Sequence, residues 1–320
     1  MVVIEKMAKI KRALIVVHRE ESAEDFEQIA RRIRKLDPTI GVTMVSDFLT
    51  SKMVPSEYLN LPMLVIYLCN PPPTEFKVAT KLAVKEMSKI EEYEHFKRQN
   101  LPCLPIERFN WGMELDPEIY GDWVVLKPEN IQSTGKDVNM VPTKLIPNLK
   151  LDDFPENHLI REDSYLVQKF VKTGEMPAHF RVCTFLDEIL FSTRLTSIYP
   201  YPDDNSNLKA FLSRTVASNK QDSRVREFIK DSEVNELAMR VSASLPKHPL
   251  LGIDILRDEL DQKLYVIEAN VGGNVWSFSS TMATHIPEYS PLSKKDRILQ
   301  YGAWDRAAEA LVRKTHELAK

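Results

Sequence analysis

Cysteine is scarce in this chain of 320 residues. The three cysteines, Cys69, Cys103 and Cys183, are far apart and odd in number, and none forms a CxxC pair. This spacing disfavours both a disulfide framework and a structural zinc site. We therefore expect the protein to occupy a reducing compartment, the cytoplasm.

Three other features are missing, and each excludes a class of protein. No apolar run reaches the ~18 residues that a membrane-spanning helix needs. The start of the chain lacks the basic region and long apolar core of a secretory signal. The net charge of -3 provides neither a basic surface for nucleic acid nor a polybasic membrane anchor. We expect a globular protein with two or three linked subdomains.

The first third of the chain predicts a small open α/β domain. Residues 13–17, 41–45 and 63–68 are short apolar runs, typical of buried parallel strands. Between the first two runs, apolar residues recur at helical spacing after Ser22, which is a suitable helix cap. A long second helix is predicted from Thr74 to Arg98.

Near the C-terminus, residues 251–257 and 263–270 predict a β-hairpin with a polar turn. Side chains in a strand repeat with period two, so Glu268 and Asn270 lie on one face. One of the two favoured registers places Asp254 opposite Glu268. Such a group of oxygens favours Mg²⁺ or Mn²⁺. The alternative is a half-exposed hairpin with one polar face.

A second chemical pattern is a strand that ends in Lys127 and is followed by a polar loop at residues 129–136. Backbone N–H groups and an ammonium at this position could cradle a phosphate. The loop is not a Walker motif, because Asn130 replaces its first glycine and Asp137 replaces its Ser or Thr. The alternative is a solvated lysine at a strand end.

Arg181 and Arg194 lie on a predicted antiparallel hairpin. A guanidinium there could hold a carboxylate or phosphate by two hydrogen bonds. The alternative is a cross-strand ion pair with Asp187 or Glu188.

The remaining segments predict a loop and two helices. Residues 199–221, rich in Pro, Asn, Asp and Ser, are predicted to form a lid or substrate loop that contains Arg214, or else a flexible surface loop. Residues 223–244 and 296–318 predict helices. The last helix would serve packing or form a homodimer face.

In their order along the chain, these motifs resemble the ATP-grasp superfamily. Strand-Lys-Pro is followed by an apolar strand that ends in a turn, then by Phe-Arg-Val, Gly-Ile-Asp-Ile-Leu and Ile-Glu-Ala-Asn. The nearest-looking relatives are the glutamate ligases that modify ribosomal proteins and bacterial glutathione synthetase, over roughly Leu82 to Asn274. The resemblance implies an α/β ATP-grasp fold, with a small N-terminal open α/β domain and nucleotide bound between two sheet-containing subdomains. The expected domains are 1–105, 106–172 and 173–320.

The resemblance also implies roles for individual residues. Lys127 would reach the ATP phosphates, and Arg181, with Arg194 as a second candidate, would hold an acyl phosphate. His179 stands where the family often has an acidic residue that contacts ribose, and Glu175 is its expected substitute. The implied nucleotide contacts are Lys127, Ser133, Thr134, Gly135, Gln168, Lys169, Phe170, Val171, Glu175 and His179, and the implied ligands of Mg²⁺ (or Mn²⁺) are Asp254, Glu268 and Asn270.

The activity that the resemblance implies is an ADP-forming ligation of a carboxylate to an amine through an acyl phosphate. The substrates would be small molecules, amino acids or peptides. Two alternatives stay open: a kinase of the same fold that phosphorylates a hydroxyl, and a non-catalytic ATP-binding protein.

Overall fold

The computed structural model describes residues 9–46, 54–69, 80–130, 135–202, 207–217, 224–279 and 293–320. Its first sheet has four parallel strands in the order β2-β1-β3-β4. The central strand β1 is buried on both faces, which explains its continuous apolar run. The predicted open α/β domain is confirmed. Its elements are β1 Arg12–His18, α1 Ala23–Leu36, β2 Ile40–Ser46, β3 Met63–Tyr67 and β4 Thr80–Ala83.

The predicted helix over residues 74–98 is wrong over residues 80–88. The segment that contains Leu82 pairs with β3 as strand β4, and Leu82 is buried in that sheet. Helix α2 spans only Lys89–Arg98 and begins with a capping box at Ser88. Thr74, the predicted cap, lies outside the described residues.

The second sheet has four antiparallel strands in the order β5-β8-β6-β7. Alternate residues of β6, such as Val124 and Leu126, are fully buried in the apolar core beneath it. This alternation places Lys127 on the opposite face of the strand. The elements are β5 Ile106–Arg108, α3 Pro117–Tyr120, β6 Trp123–Pro128, β7 Asn139–Pro142 and β8 Tyr165–Lys169.

The third sheet has five antiparallel strands in the order β11-β10-β9-β12-β13. Within the ranges above, the structure has no helix that is long and apolar enough to cross a membrane. The elements are β9 Ala178–Phe185, β10 Glu188–Ser197, α4 Leu208–Ser213, β11 Arg224–Phe228, α5 Ser232–Ser244, β12 Leu250–Arg257, β13 Leu264–Val271, α6 Lys294–Tyr301 and α7 Ala303–Leu318.

Both predicted C-terminal helices need correction. The first, over residues 223–244, begins as strand β11, and α5 starts only after Asp231, which caps it by accepting from the Val234 N–H at 3.1 Å. The second, over residues 296–318, is divided by Gly302, whose φ of 68° ends α6. A left-handed residue cannot continue a right-handed helix.

The final helix α7 packs against the first sheet as well as the third. Ala307, Ala308 and Leu311 are fully buried in a core that also contains Leu14 of β1 and Phe191 of β10. The apolar face of α7 is therefore used within the chain, and a homodimer stays a prediction. The expected domain boundaries also stay predictions.

Candidate active site

A cavity of about 390 Å³ lies between strands of the second and third sheets. The described residues that line it include seven basic and three acidic side chains, so its wall favours an anionic ligand. The basic residues are Arg19, Lys89, Lys127, Lys169, Arg181, Arg224 and Arg226, and the acidic residues are Glu86, Asp254 and Glu268.

Residues Gln168 to Val171, at the end of strand β8, form one wall of the cavity. Their binding of adenine stays a prediction. The Lys169 N–H donates to the Pro105 carbonyl at 2.9 Å. Proline has no N–H to donate in return, so the Lys169 carbonyl lacks its usual partner on β5. Within the described residues, nothing accepts from the Val171 N–H. One acceptor and one donor are thus left for a planar base.

The hairpin β12–β13 adopts one of the two registers that the sequence favours. Asp254 lies opposite Glu268, and Gly252 lies opposite Asn270. Residues that are directly opposite each other share a face of the sheet, so the two carboxylates and the amide lie together on the cavity side. The predicted grouping of these three side chains is confirmed.

Arg181 on β9 forms a bidentate ion pair with Asp254. Its Nε lies 2.6 Å from Asp254 Oδ1, and its Nη2 contacts Oδ2. Burial alone raises the pKa of Asp254, but the positive charge of Arg181 holds that pKa below its ordinary value. The alternative partners Asp187 and Glu188 are wrong, because both bind Arg313 of α7.

The oxygens beside this pair fit a divalent ion of the Mg²⁺ type. Asn270 Nδ2 donates to Asp254 at 3.2 Å and to the Gly252 carbonyl at 3.3 Å, which leaves its Oδ1 as an acceptor. Within the described residues, no three His, Cys, Asp or Glu side chains could hold a metal. An ion here would therefore depend on Glu268, Asn270, water and ligand oxygens. Asp254 binds Arg181, so its role as a metal ligand stays a prediction.

Two lysines face these carboxylates from the other side of the cavity. Burial lowers the pKa of Lys127 to about 8, although the nearby Glu268 opposes this shift. Lys89, in the first turn of α2, donates to the Glu129 carbonyl at 3.2 Å. Lys127 thus lines a cavity and does not project into bulk water, as the alternative interpretation required.

Burial shifts the pKa of two titratable groups near the carboxylates toward the uncharged form. Burial lowers the pKa of His179, 3.7 Å from Asp254, to about 4. Burial and the neighbouring Glu268 raise the pKa of Glu92 well above its ordinary value.

Some predicted residues do not join this cluster. Arg194 and Glu175 are absent from the cavity wall, and Glu175 is exposed. Arg214 caps helix α4 and donates to the Pro200 carbonyl at 3.1 Å. Ser133 and Thr134 lie outside the described residues, whereas Gly135 of the same loop lines the cavity.

Sequence reasoning missed four basic residues of the wall, Arg19, Lys89, Arg224 and Arg226. No motif singles out Arg19. The sequence predicts Lys89 inside a longer helix, and Arg224 and Arg226 at the start of a helix. The alternation of Arg-Val-Arg-Glu-Phe, which has the period of a strand, is the signal that could have identified β11.

No protein-family model and no curated protein sequence matches this chain. Solved structures do match it. A D-cycloserine synthetase, DcsG, is 13% identical with a TM-score of 0.50, and 95% of this chain and 99% of that chain are covered. The ATP-grasp ligase PsnB complexed with minimal precursor, Mg and ADP is 12% identical with a TM-score of 0.52, and 95% and 98% are covered. PsnB complexed with precursor peptide PsnA2 and AMPPNP is 12% identical with a TM-score of 0.51, and 97% and 99% are covered.

These similarities extend over almost the whole of each chain. The protein therefore has the ATP-grasp fold, as its sequence motifs implied.

Proposed function

We propose that the protein is an ADP-forming ligase that joins a carboxylate to an amine through an acyl phosphate. This proposal depends on one observation: Lys127, Arg181 and Glu268 line the same cavity of an ATP-grasp fold. Proteins of the same fold support it, since DcsG is a synthetase and PsnB a ligase. PsnB is complexed with a precursor peptide, which supports a small molecule or a peptide as the acid or amine here.

ATP is the proposed phosphoryl donor. The Lys169 carbonyl and the Val171 N–H would bind the edge of the adenine base, and the half-buried Lys127 would bind the phosphates. Lys89 lies on the same side and would add a second positive charge. Structures of PsnB with ADP and with AMPPNP support this choice of nucleotide.

Mg²⁺ or Mn²⁺ is the proposed cofactor, held by Glu268 and Asn270 with Asp254 as a further ligand. When bound, the ion would neutralise the negative charge of the transferring phosphoryl group. The PsnB complex with Mg and ADP supports this assignment.

The proposed reaction has two displacements. In the first, a carboxylate oxygen of the acid attacks the γ-phosphorus, and the bond to the ADP oxygen breaks. In the second, the amine nitrogen attacks the acyl carbon, phosphate leaves, and the proton of the amine passes to water. Arg181 and Lys127 would stabilise the charge that develops on the phosphoryl oxygens. Neither step needs a basic histidine, which agrees with the low pKa of His179.

Hydroxylamine tests this proposal, because it converts an acyl phosphate into a hydroxamate. A ligase should release ADP and hydroxamate in equal amounts, and only when the acid is present. ADP without hydroxamate would indicate a kinase that makes a stable phosphate ester. Binding of Mg-ATP without ADP release across a broad panel of acids would indicate a non-catalytic protein.

The variant Glu268→Gln tests the metal site within the same assay. It should lose metal-dependent turnover and keep its circular dichroism spectrum, because the amide is a weaker ligand of almost identical size. Glu259→Gln in the turn between β12 and β13 lies away from the cavity wall and should behave as wild type. Equal activity of both variants would exclude the proposed site.

A further inference from the structure

Three arginines lie on one face of the third sheet. On β10, Thr193 is opposite Arg181 of β9, Leu195 is opposite Arg226 of β11, and Ser197 is opposite Arg224. Cross-strand partners share a face and the three β10 residues alternate by two, so all three guanidinium groups belong to the same face. All three line the cavity.

Arg226 is the unusual member of this arginine row. It is only 9% exposed, and its Nε is buried without a hydrogen-bond partner. Among the described residues, no carboxylate lies within ion-pair distance of it. A guanidinium buried in this way is costly unless an anion compensates it.

The charges that act on Arg226 are mostly positive. Burial and the positive charges of Arg224 and Arg181 lower the pKa of Arg226 to about 9, and the Asp254 carboxylate opposes this shift only weakly. Asp254 forms its ion pair with Arg181. An anion bound beside Arg226 would therefore be stabilised.

Strand β11 lies at the edge of the third sheet. Adjacent strands lie about 4.8 Å apart, and β10 and β9 separate β11 from Asp254 on β12. Lys127 belongs to a different sheet, on the other side of the cavity. An anion bound at Arg226 would therefore lie toward the β11 edge, to one side of the group next to Asp254 and Glu268.

We propose that Arg226 binds a second anionic group, a carboxylate or a phosphate, on the acid that the enzyme activates. The acid substrate is then a dicarboxylate or a phosphorylated acid, with its reacting carboxylate near Arg181. A guanidinium suits both anions, because its planar fork donates two parallel hydrogen bonds. This inference rests on the proposed ligase function.

Matched pairs of acids test the inference in the hydroxylamine assay. Glutarate and glutaramate differ by one carboxylate charge, and 3-phosphoglycerate and glycerate differ by one phosphate. In one pair, the acid with the additional anionic group should have at least a tenfold higher kcat/KM than its partner. The pair that shows this difference identifies the anion. Equal kcat/KM values within both pairs would overturn the inference.

The variant Arg226→Gln should lower kcat/KM for the favoured dianion at least tenfold and leave KM for ATP within twofold of wild type. Arg240→Gln, at an exposed arginine of α5, is the matched control and should change neither value. A rise in the KM for ATP in Arg226→Gln would show that Arg226 binds nucleotide phosphate instead, and would overturn the inference.

A binding measurement separates this inference from the ligase proposal. With the nucleotide site saturated by Mg-AMPPNP, inorganic phosphate should raise the Tm of the wild-type protein, and Arg226→Gln should weaken this phosphate binding at least tenfold. If this holds and no acid is activated, the ligase proposal fails and the anion site stands. Equal phosphate binding by both proteins would remove the anion site, whatever the activity.

Discussion

At the scale of the residue, the charge of Lys127 sets a pH limit on nucleotide binding. Its pKa of about 8 means that it loses its proton as the pH rises through 8. Phosphate oxygens stabilise the ammonium, so binding of Mg-ATP should take up a proton near pH 8.5 and should weaken between pH 8 and 9.5. Calorimetry in two buffers with different ionisation enthalpies measures this proton uptake.

The variant Lys127→Arg provides the control for that titration. An arginine stays protonated throughout this pH range, so its affinity for Mg-ATP should vary much less between pH 8 and 9.5. The same pH dependence in both proteins would show that another group titrates.

The ion pair between Arg181 and Asp254 makes a second prediction at this scale. Arg181→Met leaves the buried Asp254 carboxylate without its partner, so the free energy of unfolding should fall by about 3–5 kcal/mol. Urea denaturation measures the change. The double variant Arg181→Met/Asp254→Asn should regain part of the lost free energy of unfolding, because it has no uncompensated buried charge. A loss below about 0.5 kcal/mol, the range of ordinary surface substitutions, would contradict the pairing.

At the scale of the element, the strands that carry the candidate site could largely be predicted from the sequence. Strand β1 is a continuous apolar run because both of its faces are buried. In β13, alternation predicts that Glu268 and Asn270 lie on one face. These signals are local. The turn left two registers open for Asp254, and only the structure shows that it lies opposite Glu268.

Other elements could not be predicted, because their local pattern conflicts with their tertiary surroundings. Strand β11 places Arg226 on a buried face, where apolar side chains are usual. Strand β4 has only four residues and is defined by its pairing with β3. The bidentate contact of Arg181 with Asp254 joins residues far apart in sequence, and no spacing rule predicts it.

Gly302 gives a prediction for the junction of α6 and α7. Its φ of 68° is left-handed, and a Cβ there would contact nothing within 4 Å. Gly302→Ala should therefore lower the free energy of unfolding by about 1–2 kcal/mol through backbone strain alone. Gly302→Asn should lose less, because asparagine tolerates this conformation. Urea denaturation of both variants measures the difference, and an equal loss in the two would contradict this explanation.

At the scale of the whole molecule, α7 connects the two ends of the described chain. Leu311 is fully buried in the core that α7 shares with β1 and α1. Leu311→Ala should cost about 2–5 kcal/mol of unfolding free energy. Hydrogen exchange should become faster in α1 as well as in α7, because both helices lose the same packing partner.

Leu299→Ala in α6 is the control for this prediction, since Leu299 is 64% exposed. It should change the free energy of unfolding by less than about 0.5 kcal/mol. Faster exchange confined to α7 in the Leu311 variant would show that the core is not shared.

The long-range packing of α7 could not be predicted from the order of the elements along the chain. The sequence gives a boundary near residue 105, where prolines extend the chain. The structure places residues 303–318 of the last expected domain against the first sheet. Periodicity shows that α7 has an apolar face, but it does not show which sheet that face covers.

This packing has a consequence for synthesis on the ribosome. The face of the first sheet that α1 and α7 cover stays incomplete until residues 303–318 have emerged from the exit tunnel. The nascent N-terminal segment thus carries uncovered apolar side chains while the second and third sheets are translated. Chaperone capture of ribosome-bound chains should therefore persist until the last helix appears.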